Sequence, residues 1–227
     1  PIDYDKLVLA CGANVNQLGL PNTLHVNSLT DYRDFYEAIQ GKKHISIIGA
    51  GLVGCEMACD LGGAGYEVDM IAMDQQPMPN LLPKDVASIL QDKMTEHGVR
   101  FHFNVTTKNI DQQGVKLNNG ETIKADVVLS AIGLKPNVDL AKATGIETKR
   151  GIVTDEYLAT NVDNIYALGD CAEVEGMLFQ HIAPIRQSAM ALAKTLTGDS
   201  TKVVYPPMMY GVKTSYYPMR VCRSPKI

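Results

Sequence analysis

No stretch of this chain is strongly basic, and no apolar run approaches the length of a bilayer span. With 21 Lys and Arg against 25 Asp and Glu in 227 residues, nothing offers the cationic stripe that a nucleic-acid backbone requires. A transmembrane helix needs about 20 consecutive apolar residues, so a membrane span is excluded as well. No secretory leader is visible, and Pro1 is not an initiator residue. "YDKLVLACGA" (4–13) reads as the interior of a domain. The five cysteines, Cys11, Cys55, Cys59, Cys171 and Cys222, are odd in number and widely scattered. That fits reduced cytoplasmic thiols better than a secreted disulfide framework. Internal repeats and low-complexity linkers are lacking too.

What is present is a recurrence of short apolar runs separated by helical patterns. "KLVLACG" (6–12), "HISIIGAG" (44–51), "EVDMIAM" (67–73) and "ADVVLSAIG" (125–133) are aliphatic or β-branched at nearly every position. Parallel strands covered on both faces have that composition. A helix is predicted over about 53–65, closed by a glycine cluster, and another over about 84–97, entered after Pro83 and ended by Gly98. From 99 to 125 the period shifts to two, with an Asn-Gly hairpin signal in "LNNGETI". A further strand, "NIYALGD" (164–170), leads to a helix over about 184–197, with Ile185, Ala189, Leu192 and Leu196 as its apolar face. The methionines are read as core filling. The fold class that follows is α/β, a βαβ unit with an antiparallel excursion and a return to a parallel strand.

The stretch "IIGAGLVGCEMACDL" (47–61) carries the chemistry. Gly49-x-Gly51-x-x-Gly54 stands between a hydrophobic strand and a helix, the context in which this spacing is informative. Gly49 permits the tight turn, Gly51 lets a pyrophosphate approach the backbone, and Gly54 lets helix and strand pack closely. The free N–H groups at the helix start, from Ala50, Gly51, Leu52 and Val53, would hold the phosphates. A glycine-rich turn without a ligand is the plainer reading. Cys55 and Cys59 lie four apart with no further ligand nearby for a metal, and read as small core residues. The acid that ends the second strand and receives the adenosine ribose is replaced by Ala72. Asp74 is the nearest substitute, and with no adjacent Arg for a 2′-phosphate, NADH is expected over NADPH.

"YDKLVLACGA" (4–13), "ADVVLSAIGLKPN" (125–137) and "NIYALGDCAEV" (164–174) resemble the flavoprotein pyridine-nucleotide disulfide oxidoreductase superfamily. "MDQQPMPNLLP" (73–83), "ALAKTLTG" (191–198) and "GVKTSYYP" (211–218) are similar to its rubredoxin–NAD reductase branch. The resemblance implies an NAD-binding Rossmann-like domain inserted into an FAD-binding domain. It divides the chain into residues 1–30 (tail of a first FAD segment), 31–150 (NAD domain), 151–207 (second FAD segment) and 208–227 (start of an interface domain). The cofactors implied are FAD and NAD, and the partners are NADH and rubredoxin or a similar small iron carrier.

Carried over by that resemblance, Glu56 sits where nicotinamide meets flavin and Gly133 lines the nicotinamide side. Ala10, Gly12, Asp170, Ile182 and Lys213 fall at the FAD. Asn14 and Asn16 stand where many relatives carry Arg. No side chain is expected to act as a catalytic nucleophile and no metal site is expected. Plainer readings remain for several of these: Glu56 as a solvated helix acid, Asp170 as a turn residue, Lys213 as surface. His44, His97 and His102 are expected to be solvated, and His181 structural. The reaction implied is hydride transfer from NADH to FAD, then single electrons to the iron protein. A cysteine-dependent disulfide reductase, an NADH oxidase and a non-catalytic dinucleotide-binding module stand as rivals.

Overall fold

The computed structural model describes residues 3–223. They form two compact units, one of residues 3–14, 134–208 and 223, the other of Val15–Gly133 and Met209–Cys222. Residues 1–2 and 224–227, which fall in the first and last of the expected segments, lie outside the described residues.

The Val15–Gly133 unit is built on a five-stranded parallel sheet. Its spatial order is Thr23–Leu24, Val127–Ser130, His44–Ile48, Glu67–Ile71, Val99–His102. Three helices belong to this unit: α1 (Leu29–Ile39), α2 (Leu52–Gly63) and α3 (Lys84–Glu96). Alternation along each strand sends its side chains to opposite faces. Ile45, Ile47, Val68 and Met70 pack with Cys55, Ala58 and Cys59 of α2 and with Leu90 and Met94 of α3. Ile48, Ile71 and Val128 meet Ile110, Val115, Leu117 and Ile123 of an antiparallel meander, Thr107–Asp111, Gly114–Leu117 and Thr122–Ile123. Helices thus cover one face and the meander the other. Met70, Met78 and Met94 are buried, as core filling requires, while Met73, Met190 and Met209 are exposed.

Two expectations need correcting here. The period-two alternation from Val99 onward implies an antiparallel excursion throughout, but Val99–His102 is a parallel strand of the main sheet. It sits at the sheet edge, where Arg100 reaches solvent, and that edge position produces the alternation. The histidines are the second. His102 lies 2.9 Å from Asp69 and His44 3.3 Å from Glu67, both with side chains mostly shielded from solvent, whereas His97 is exposed as expected, its ring stacked on Tyr216 with centroids 3.9 Å apart.

The other unit pairs Leu7–Leu9 in parallel with Ile165–Ala167. A second small sheet joins Ile152–Thr154, Ala172–Val174 and Met177–Leu178. Helices α4 (Asp139–Ala143) and α5 (Ile182–Leu196) complete it, around Leu9, Ile146, Ile152, Leu158, Ala167 and Leu192. The buried face of α5 is Pro184, Ser188, Ala191 and Leu192, rotated from the expected stripe, and Ala189 is exposed. Ser188 tolerates burial because its hydroxyl is 2.7 Å from the Tyr205 hydroxyl, which satisfies it.

Candidate functional site

In the parallel sheet, Val127–Ser130 and His44–Ile48 are neighbours: the chain passes from the second to the adjoining Glu67–Ile71 and from the first out of the sheet. A crevice outside the carboxyl ends of such strands is where open α/β sheets bind ligands. Residues 49–54 and 131–133 both lie at that edge. Gly49 adopts φ +107, and a Cβ added there would sit 2.5 Å from the Ala131 carbonyl oxygen. At Gly54 an added Cβ would lie 2.1 Å from the Gly49 oxygen. Gly51 is different, because nothing lies within 4 Å of its missing Cβ. Two glycines are therefore needed for packing, and the third leaves open space.

The donors at this turn are uncapped. Gly51 is the N-cap of α2, no side chain bonds the helix start, and the first turn carries no acid. The first backbone bond is from the Cys55 N–H to the Gly51 carbonyl, 3.0 Å. The N–H groups of Gly51, Leu52, Val53 and Gly54 have no protein acceptor among the described residues, as the opening turn of any uncapped helix leaves them. The carbonyls, in contrast, are turned inward. Ala50 O accepts from the Met78 N–H at 2.7 Å and from the Cys55 thiol at 3.5 Å. In a trans peptide the C=O and N–H point oppositely, so this pins the Gly51 N–H outward. Met78 holds its place with φ +49 and 2% exposure. Neither Met78 nor the thiol's role was legible from the motif, since both act through backbone geometry.

Burial drives the Cys55 thiol far above its ordinary pKa, with Cys59 and Glu56 adding to the shift. Burial also raises Cys59, to about 11, against the pull of the Tyr216 and Ser215 N–H groups. Neither is a thiolate at neutral pH, as core residues should not be. Ala72 is buried at the end of its strand and Asp74 is exposed. Asp74 meets the following loop through its carbonyl, which accepts from Asn104 N–H at 3.1 Å. Gly133 is exposed with φ +87. Asn16 secures it, donating from its backbone to Gly133 O at 2.9 Å and from its side chain to Ile132 O at 3.1 Å.

Glu56, one turn into α2, is brought to Lys213. Its Oε1 accepts the Lys213 backbone N–H at 2.8 Å, while the lysine itself is exposed. The contact is made by the peptide of Lys213.

A second cluster forms in the other unit, where Leu7–Leu9 and Ile165–Ala167 end side by side. Ala10 is exposed, Gly12 has φ +68, and Asp170 lies in the 3₁₀ turn Gly169–Cys171. The Cys171 thiol donates to Leu9 O and Leu168 O, and burial raises it against the Cys11 and Gly12 N–H groups. Those contacts draw the 10–12 segment to the Asp170 turn. Asp170 Oδ1 and Gln180 Nε2 are buried without a hydrogen-bond partner among the described residues. Buried polar atoms are rarely left so. His181 precedes α5, and burial lowers its pKa while the Asp170 carboxylate pulls it up. Ile182 opens the helix at 85% exposure.

Residues 1–194 match the pyridine nucleotide-disulphide oxidoreductase family. The chain belongs to that family. It is 46% identical to a rubredoxin-NAD(+) reductase of Acinetobacter baylyi, over 98% of this chain and 60% of the relative. A rubredoxin-NAD(+) reductase of Alcanivorax borkumensis is 42% identical, over 97% and 60%. Among solved structures, the ferredoxin reductase for the CYP199A2 system from Rhodopseudomonas palustris is 32% identical with a TM-score of 0.87, covering 92% of this chain and 56% of that one. The chain thus spans about three-fifths of the length of the curated relatives it matches. The α/β architecture with a parallel sheet is that of the two-dinucleotide-binding-domain reductases.

Proposed function

We propose that this chain is the central part of an FAD-dependent reductase that takes electrons from NADH and delivers them to a small iron protein, rubredoxin by preference. The observation carrying this is the uncapped start of α2, where unpaired N–H groups surround an open Gly51. That arrangement fits a pyrophosphate, which helix N-termini bind through their free donors and dipole. Ala50, Gly51, Leu52, Val53 and Gly54 would hold it, with Gly49 shaping the turn. Asp74 would take the adenosine ribose, and Gly133 with Glu56 would face the nicotinamide.

Asp170, Ala10, Gly12 and Ile182 suit FAD. The unpaired buried Asp170 oxygen is an acceptor that a polyol hydroxyl would satisfy, and the small residues allow close passage of a cofactor. Lys213 is assigned to the same cofactor by resemblance. The cofactors supply the redox chemistry, a hydride from the nicotinamide and its release as single electrons from the flavin. The protein's part is to bind and orient, which is why no nucleophile is needed. We take residues 31–150 as the NAD domain, 1–30 and 151–207 as FAD-domain segments and 208–227 as the start of an interface domain. No helix among the described residues is long and apolar enough to cross a membrane, and we place the protein in the cytoplasm. The rubredoxin-type relatives favour iron-protein reduction over cysteine-based disulfide reduction.

The test is to give the full-length protein NADH with rubredoxin, ferredoxin or a low-molecular-weight disulfide. Rubredoxin should be reduced fastest. Disulfide reduction alone would overturn the assignment.

A further inference from the structure

Helix α2 carries a stripe that runs beyond its phosphate-binding first turn. Glu56, Cys59 and Gly62 recur three apart, so they share one face. Against that face lies the turn joining the strands Met208–Val212 and Met219–Arg223. The Glu56 carboxylate accepts the Lys213 N–H at 2.8 Å. One turn along, the Ser215 and Tyr216 N–H groups face the Cys59 thiol. One turn further, a Cβ on Gly62 would lie 3.1 Å from the Tyr216 hydroxyl, so only a glycine leaves that oxygen its full room. The Tyr216 ring stacks on His97 at the C-cap of α3, planes 14° apart. The turn closes on itself through the Thr214 hydroxyl, which donates to Tyr217 O at 2.7 Å, and Thr214 and Val212 are buried.

These contacts are successive and in register, and each uses a different chemistry on the same helix face. We propose that Glu56, Cys59 and Gly62 form a seat for residues 213–216, and that Glu56 is a positioning residue acting as a hydrogen-bond acceptor for the Lys213 peptide. The seat fixes where Lys213 stands relative to the cradle, a consequence that rests on the nucleotide reading above. It also accounts for Cys59 and for Gly62, which neither a phosphate cradle nor a redox site explains. The carboxylate meets a peptide dipole, and the lysine ammonium stays exposed to act elsewhere.

The experiment uses the full-length flavoprotein and amide hydrogen exchange of the 211–217 segment. Glu56→Ala should speed exchange at Lys213 by about tenfold, as loss of one hydrogen bond implies. Glu56→Gln, whose amide oxygen can accept the same bond, should retain the protection. Protection unchanged in Glu56→Ala would overturn the proposal, and so would equal loss in both variants, since the charge would then be what matters. Tyr216→Ala, outside the cradle, should lower kcat for NADH-driven flavin reduction several-fold with the NADH KM nearly unchanged, and Tyr216→Phe should restore it. Wild-type kcat in Tyr216→Ala would remove the functional consequence. Titration of wild type with NAD+ runs beside these. Failure to bind would end the nucleotide reading, while the exchange data would still decide the seat.

Discussion

Gly54 lies with its Cα against the carbonyl of Gly49, so close that a methyl group on Gly54 would come within 2.1 Å of that oxygen. The contact is backbone against backbone and cannot be relieved by a rotamer change. Gly51, three residues earlier, has open space where its side chain would be. The same motif therefore contains glycines with separable duties.

That separation predicts two different phenotypes. Gly54→Ala forces the helix start away from the turn and should cost about 1–3 kcal/mol, the range for overpacking, and weaken NADH at least severalfold. Gly51→Ala should fold with a stability loss of no more than about 1 kcal/mol, yet lose much of its nucleotide affinity, because the methyl group fills the space offered to the pyrophosphate. Thermal melts and NAD+ titrations of the two full-length variants decide it. Equal affinity of Gly51→Ala and wild type would mean the space is not a ligand site.

Nucleotide choice turns on the loop after Glu67–Ile71. Ala72 is buried and apolar, so the ribose has only the exposed Asp74 to meet at this edge. Asp74→Ala should raise the KM for NADH by roughly tenfold, the worth of one charge-assisted hydrogen bond, and leave kcat nearly unchanged. A KM equal to wild type would remove Asp74 from the site.

The α2 cysteines should prove dispensable for turnover. Both thiols are fully buried and have raised pKa values, so neither is a thiolate at neutral pH. Replacing each with Ala should leave acceptor reduction within a few-fold and cost about 1 kcal/mol of packing. Cys55→Ala should have the larger effect on NADH binding, since it removes one donor from Ala50 O. Abolished turnover with FAD and NAD+ still bound would show that one of them is a redox relay.

How much of this was legible in the sequence differs by element. The cradle could be read because its glycines answer to local sterics, and the aliphatic strands because full burial leaves a continuous pattern. Helix α1 escaped. Leu29, Tyr32 and Tyr36 on it are exposed, and only Phe35 and Ile39 are buried, so its apolar stripe is faint. The cap was there to find: Ser28 accepts the Asp31 N–H, and Asp31 accepts that of Asn27. Contacts such as Glu56 with the Lys213 peptide or Ala50 with Met78 leave no local trace, because they are made by backbone atoms brought together across the fold. The buried face of α5 departs from the apolar stripe because its central residue, Ser188, is polar and finds its partner in Tyr205.

Asp69 offers the last prediction. It is 3% exposed in the middle of a parallel strand, where a lone carboxylate would be costly. Burial pushes its carboxyl up, but the Arg100 guanidinium, bonded at 2.7 and 2.9 Å, and His102 at 2.9 Å more than offset this, and the group stays below the ordinary Asp range. Glu67 also lies 3.4 Å from Arg100, and Glu121 lies 3.8 Å from His102. A carboxyl with a lowered folded pKa contributes stability above its unfolded pKa of about 4 and loses it as pH falls through the folded value. Arg100→Met should therefore destabilise the full-length protein at neutral pH by about 1–3 kcal/mol. That is less than a fully buried pair would cost, because the guanidinium is half-exposed and screened by solvent. The gap from wild type should narrow below about pH 4, where protonated Asp69 no longer needs its partner. Urea melts of both proteins at neutral pH and at the lowest pH at which each still folds measure the gap. A difference that holds constant across that range would mean Arg100 stabilises the edge strand by packing alone.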